Sequence, residues 1–340
     1  MTNTLAQALL AHQKTDIDSA ETGYLNWLKD TPHDAHTWHL LSILYAQLGQ
    51  YPKAKQTIEC AIKHEPNVAT FHNTLGKVHQ KMGQTQEALE HLQQAQKLDP
   101  NSSPIDISLG NLYAQLKDHH TARKHYQDAT QKSPENLHAQ VNLALSYLRT
   151  TDPDTAKKIF ESILLKEPQN AIAHQQLGQY FHQAQRLDAA LSHYQQAENS
   201  TENPDIIAHL IGCIYAQQGK LTLAKQHFLS ALENNPKHIE SHHNLASLCT
   251  QMHEHQSALM HWLRVAEHIT DAPTRYNIGA TYLALNKALE AKPYLLDALS
   301  MDHQNIDTHI ALGATYLKLQ EHQQSIIHYK TALKLNPQLD

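Results

Sequence analysis

Apolar and small residues return along this chain at an interval much longer than a helical turn. With Ala35 as position 1, Trp38, Leu41, Ser42, Tyr45, Gly49, Ala54, Ile58, Ala61 and Pro66 fall at positions 4, 7, 8, 11, 15, 20, 24, 27 and 32. A shift of 34 restores the pattern in Leu75, Gly76, Gly83, Ala88, Leu92, Ala95 and Pro100. A second shift restores it in Leu109, Gly110, Tyr113, Ala122, Tyr126, Ala129 and Pro134. Pro32, Pro66, Pro100, Pro134 and Pro168 keep the interval throughout. Positions 7, 8 and 11 share one helical face, as do 20, 24 and 27, so each unit predicts two helices.

The units are 1–34, 35–68, 69–102, 103–136, 137–170, 171–204, 205–238, 239–271, 272–305 and 306–340. Together they are expected to form one array over 1–340. Small residues at positions 8 and 20, such as Gly76 with Ala88, let the paired helices approach. Positions 11 and 24 are expected to fill the seam together: Tyr147 with Phe160, Phe181 with Tyr194, Tyr215 with Phe228. Ser103-Pro104 and Asp152-Pro153 each predict a cap followed by Pro at the first helical position, and Asp271-Ala272-Pro273 is a looser version. The unit from Ile239 is one residue short, and Pro293 lies inside a second helix, where it is expected to remove a backbone bond and produce a kink. After Asn336-Pro337 no polar capping helix follows, so the last pair is expected to leave apolar surface exposed.

The 34-residue pattern resembles the tetratricopeptide repeat, a helix–turn–helix unit. That resemblance implies an all-α fold, an α-solenoid wound as a right-handed superhelix of about ten repeats, whose units bury their apolar faces by stacking. It also implies a protein- or peptide-binding scaffold with no catalytic residue, in which the first helices line a concave groove and positions 2, 5, 6, 9, 12 and 13 point inward. Position 13 reads Gln47, Lys81, Gln115, Arg149, Gln183, Gln217 and Gln251. Position 5 carries Gln175, His209 and His243; position 6 carries Asn142, Asn244 and Asn277; position 9 carries Lys77, Asn111, Gln179 and Ser247. Side-chain amides both donate to and accept from a peptide backbone. The expected peptide-binding set is therefore Asn142, Arg149, Gln175, Gln179, Gln183, His209, Gln217, His243, Asn244, Gln251 and Asn277.

The position-6 asparagines resemble part of the ladder in O-linked N-acetylglucosamine transferases. The stretch from Trp38 to Gly76 resembles the front of bacterial repeat proteins that continue into a glycosyltransferase, sulfotransferase or methyltransferase domain. The alternative function is therefore the substrate-recruiting front of such a transferase. No unit has lysine at position 5, so the carboxylate clamp of chaperone-binding relatives is missing.

Composition narrows the partners. The net charge of −6 is spread without runs and offers no basic track for nucleic acid. No apolar stretch suits membrane insertion. Met1 to Lys14 lack a basic region and cleavage site for secretion. Cys60, Cys213 and Cys249 include no close pair, which fits a reducing, cytoplasmic setting. No phosphate loop, Gly-x-Ser-x-Gly or His-Glu-x-x-His occurs, so neither catalysis nor a cofactor is expected.

Histidine is the unusual residue, at 28 copies. His36 with His39 and His238 with His242 have helical ligand spacing but no further ligand nearby, so no metal is expected. His91, His125, His193, His227, His261 and His328 all occupy position 23, where half-buried packing is expected. If these rings lack partners, stability falls in mild acid, because burial opposes the charged form.

Overall fold

In four repeats a ring on the second helix sits directly on a glycine of the first, as Tyr126 does on Gly110 and Phe228 on Gly212. A Cβ added at Gly110 lies 2.5 Å from the Tyr126 ring, and one at Gly178 lies 2.5 Å from the Tyr194 ring. Glycine at position 8 is therefore the seat for the side chain at position 24. Position 11 packs beside this contact as well, since Tyr215 lies against the cluster that holds Phe228. Position 11 also stacks on position 23: Phe181 on His193 at 5.4 Å, Tyr316 on His328 at 5.3 Å and Tyr113 on His125 at 5.5 Å.

The computed structural model describes residues 2–150, 152–198 and 200–338. The expected limits of the array, Met1 and Asp340, lie outside them. The described residues hold twenty α-helices and form an all-α solenoid of consecutive helix pairs. The chain divides into two compact units, Met1–Pro168 and Gln169–Asp340.

The first unit contains α1 (Thr2–Gln13), α2 (Ile17–Asp30), α3 (Ala35–Gln47), α4 (Tyr51–His64), α5 (Ala69–Lys81), α6 (Thr85–Leu98), α7 (Ser103–Gln115), α8 (His119–Lys132), α9 (Leu137–Arg149) and α10 (Pro153–Lys166). Its core runs between helix pairs: Tyr24, Leu41 and Leu44 in one cluster, Ile58, Phe71 and Leu75 in the next, then Leu92, Ile105 and Leu109. The first helices α3, α5 and α7 also touch in succession, so they crowd the inner side of this unit.

The second unit contains α11 (Ala171–Gln183), α12 (Leu187–Glu198), α13 (Pro204–Gln217), α14 (Leu221–Asn234), α15 (Ile239–Gln251), α16 (His255–Ala266), α17 (Ala272–Ala284), α18 (Ala288–Met301), α19 (Ile306–Lys318) and α20 (His322–Leu335). Phe228, Leu245 and Trp262 anchor one of its clusters, and Leu295 with Leu312 anchors another. Here too first helices meet, α13 with α15 and α17 with α19. On α20, Ile326, Ile327 and Leu333 are exposed.

Helix boundaries follow local chemistry. Asp152 and Asp271 accept from the N–H of Thr155 and Thr274 and cap their helices. Ser103 does not cap. It lies inside α7, behind Ser102, and its hydroxyl donates to the carbonyl of Ala129 at 2.9 Å. The helix expected from Asp205 begins one residue earlier, with Pro204 at its first turn. α18 continues through Pro293 as one helix. The turn between paired helices places position 15 in the left-handed region, whether it is Gly49, Gly83 or Gly219, or instead Lys117, Gln185, His253, Asn286 or Gln320.

Candidate binding grooves

In the first unit, α3, α5 and α7 enclose a groove of about 620 Å³. Its apolar floor is Ile43, Ala46, Tyr51 and Val78, and its rim carries Gln47, Thr74, Lys77, Lys81, Asn111 and Gln115. These rim residues stand at positions 6, 9 and 13, one helical face. Lys77 and Lys81 are exposed, and no carboxylate lines the groove. A smaller cavity of about 210 Å³ brings Asn142 and Arg149 together with Asn111 and Tyr126. There the Tyr126 hydroxyl donates to Asn111 Oδ1 at 2.8 Å, and Asn142 Nδ2 donates to the same oxygen at 3.3 Å.

Several polar groups of this face bond across neighbouring repeats. His12 meets Gln47 at 2.9 Å, His39 meets Thr74 at 2.8 Å, and Gln80 donates to Gln115 at 3.0 Å. Each pair is 35 residues apart. Such bonds align one repeat on the next and hold the rim amides in fixed orientations.

The second unit repeats the lacing. His182 meets Gln217 at 3.0 Å, and Gln217 donates to Gln185 at 2.8 Å. His209 meets the Ser241 hydroxyl at 3.0 Å and Cys213 at 3.5 Å, while Asn244 donates to Cys213 at 3.4 Å. His243 is exposed, with its ring edge-on to Trp262. Gln179, Gln183 and Gln251 are exposed on this face, while Gln175 and Asn277 are half-buried.

Cys213 beside His209 superficially offers a nucleophile and base. Burial pushes the thiol up to about 11, against the hydrogen bond from Asn244. Burial, with His238 nearby, pushes His209 down to about 4. Both groups are therefore neutral near pH 7, the opposite of an activated thiolate–imidazolium pair.

The second helices carry a different arrangement. His72 and His91 meet Nδ1 to Nδ1 at 3.2 Å, His174 and His193 at 3.0 Å, His242 and His261 at 2.9 Å, and His309 and His328 at 3.0 Å. Four of the six position-23 rings, His91, His193, His261 and His328, therefore have a partner. The tautomers follow from the outer contacts. His72, His242 and His309 each turn Nε2 to a backbone carbonyl six residues back, at 2.9, 3.1 and 3.2 Å. An N–H must stand there, so Nδ1 of these rings is the acceptor and the position-23 ring donates. Trp38 and Gln140, also at position 4, donate to the carbonyls of Pro32 and Pro134. In the sequence these pairs are marked by histidine at both positions 4 and 23 of one repeat, not at position 23 alone.

Family models described as the tetratricopeptide repeat match residues 73–137, 113–179, 207–238, 272–305 and 306–339. A model described as the auxiliary subunit of N-terminal acetyltransferase A matches residues 2–103. No curated protein sequence matches the chain. Among solved structures, PilF of Pseudomonas aeruginosa is 20% identical, covering 63% of this chain and 97% of its own, with a TM-score of 0.57. IFIT1 is 15% identical over 98% of this chain and 90% of its own, with a TM-score of 0.50. These two are likenesses of fold.

Proposed function

This chain is a tetratricopeptide-repeat protein, and from that premise we propose that it is a non-catalytic scaffold that binds an extended segment of another protein along its first helices. The observation that carries the proposal is the groove across α3, α5 and α7. It offers what a bound peptide needs: an apolar floor for side chains, and amides and ammonium groups along the rim for the backbone and for carboxylates. Asn142 and Arg149 extend the polar rim within the first unit. In the second unit the proposed contacts are Gln175, Gln179, Gln183, His209, Gln217, His243, Asn244, Gln251 and Asn277. The match of residues 2–103 to an auxiliary subunit favours a multiprotein complex as the setting.

The test uses a peptide selected from a phage-displayed library against the full chain, labelled and titrated by fluorescence anisotropy. Lys77→Ala with Lys81→Ala, and separately Arg149→Ala, should weaken binding in a salt-dependent way. His227→Ala, on a second helix, should leave affinity within twofold. Loss of affinity only in His227→Ala would place the ligand on the second helices and end this reading.

A further inference from the structure

The repeats provide an internal comparison for one cluster on the second-helix side. In four repeats, positions 4 and 23 are both histidine, and one proton bridges their Nδ1 atoms at 2.9–3.2 Å. The repeat at 103–136 breaks this pattern. Position 4 is Asp106, only 1% exposed, and position 23 is His125. Nδ1 of His125 and the Asp106 carboxylate are 3.8 Å apart, beyond hydrogen-bond reach. That nitrogen is buried and has no hydrogen-bond partner. A further ligand side chain stands one turn along, Asp128 at position 26, where the four sister repeats have Gln94, Gln196, Arg264 and Thr331.

Among the described residues, Asp106, His125 and Asp128 are the group whose ligand atoms could close on one ion, all lying within 4.8 Å of one another. We propose that they form a binding site for a zinc-type divalent cation, separate from the peptide groove. One imidazole and two carboxylates suit such an ion at about 2.0–2.2 Å per bond, with water completing the shell. Small side-chain rotations close the 3.8 Å gap to that bite. The outer support is present. Gln96 Nε2 donates to Asp106 Oδ1 at 3.1 Å, and Lys132 Nζ donates to Oδ2 at 2.5 Å. The His125 ring lies flat on Tyr113. Partners of this kind fix the orientation of ligating side chains. Lys132 cancels one of the two carboxylate charges, so the site retains a net negative charge for the incoming cation.

The experiment starts from the full chain stripped with a chelator. Equilibrium dialysis against Zn2+ with a competing chelator, followed by elemental analysis, compares the wild type with His125→Ala, Asp128→Asn and His227→Ala. The first two variants should each lose one equivalent, and His227→Ala should lose none. Co2+ gives a second readout on unaltered protein: the wild type should develop the visible absorption of a low-coordinate nitrogen–oxygen site, and Asp128→Asn should not. The proposal is overturned if the wild type shows no such band, or if Asp128→Asn holds as much zinc as the wild type. Either result would leave Asp106 as the partner of Lys132 and Gln96 alone.

Discussion

The two faces of a repeat use polar side chains in opposite ways. On the first-helix face, bonds such as His39 to Thr74 and Gln80 to Gln115 join one repeat to the next. On the second-helix face, the bonds at positions 4 and 23 stay within one repeat, as in His242 with His261. The inner lacing sets the register between repeats and leaves Lys77 and Lys81 exposed in the groove. The outer pairs lock the two helices of one repeat and spend their polarity on each other. A ligand therefore finds exposed ammonium groups and pre-oriented amides inside, and imidazoles paired with each other outside.

The strongest way to break both faces is at the seat they share. Gly110→Val puts a side chain into the Tyr126 ring, which is tethered to Asn111. The expected loss is about 3 kcal/mol, typical of overpacking at a site that cannot yield. Denaturant unfolding followed by circular dichroism measures it. A loss below about 1 kcal/mol would mean that the paired helices slide apart at little cost.

Acid compares the faces next. Burial pushes the inner His39 and the outer His261 down to about 4, each helped by a neighbouring histidine, His36 and His242. Their folded pKa lies below the unfolded value of about 6.5. The unfolded chain therefore takes up protons first as pH falls, and stability present above pH 6.5 is lost progressively down to about pH 4. Each group contributes on the order of 1–2 kcal/mol after allowance for solvent screening. The melting temperature should fall across that window, and His261→Phe should flatten the outer share of the slope. A profile unchanged by His261→Phe would show that the pair at 2.9 Å is not what resists protonation.

A smaller effect sits at the turn between the faces. Gln185 and Lys117 hold φ of 57° and 63° at position 15. Replacing either by glycine should stabilise the chain by about 0.5–1 kcal/mol, because the left-handed conformation costs a side-chain residue more than glycine loses in entropy. Gly49→Ala, with nothing within 4 Å of its new Cβ, should cost a similar amount through backbone strain alone. The smallest change expected is Gln115→Ala, which removes one exposed inter-repeat bond worth about 0.5 kcal/mol, the low end for a hydrogen bond.

The register was legible in the sequence because it rests on residue size. Gly76 opposite Leu92 and Gly110 opposite Tyr126 are contacts that volume alone announces. Caps were legible where a short acid stood free, as at Asp152, and misread at Ser103, whose hydroxyl found the Ala129 carbonyl instead. The histidine pairs were hidden because their members are 19 residues apart on different helices. Each ring taken alone looks like ordinary packing. The left-handed turns at Lys117 and Gln185 were hidden for another reason. Tertiary packing imposes that conformation on residues that do not prefer it, so only the repeats with glycine advertised it. The groove across α3, α5 and α7 lies on positions that the register identifies, although the expected contacts were concentrated in later repeats.

The most direct test of the groove is hydrogen exchange of the full chain, free and saturated with the selected peptide. The account predicts added protection in α3, α5 and α7, around Thr74, Lys77 and Gln115, with α4, α6 and α8 unchanged. Added protection confined to α4, α6 and α8 would contradict it and assign recognition to the opposite face.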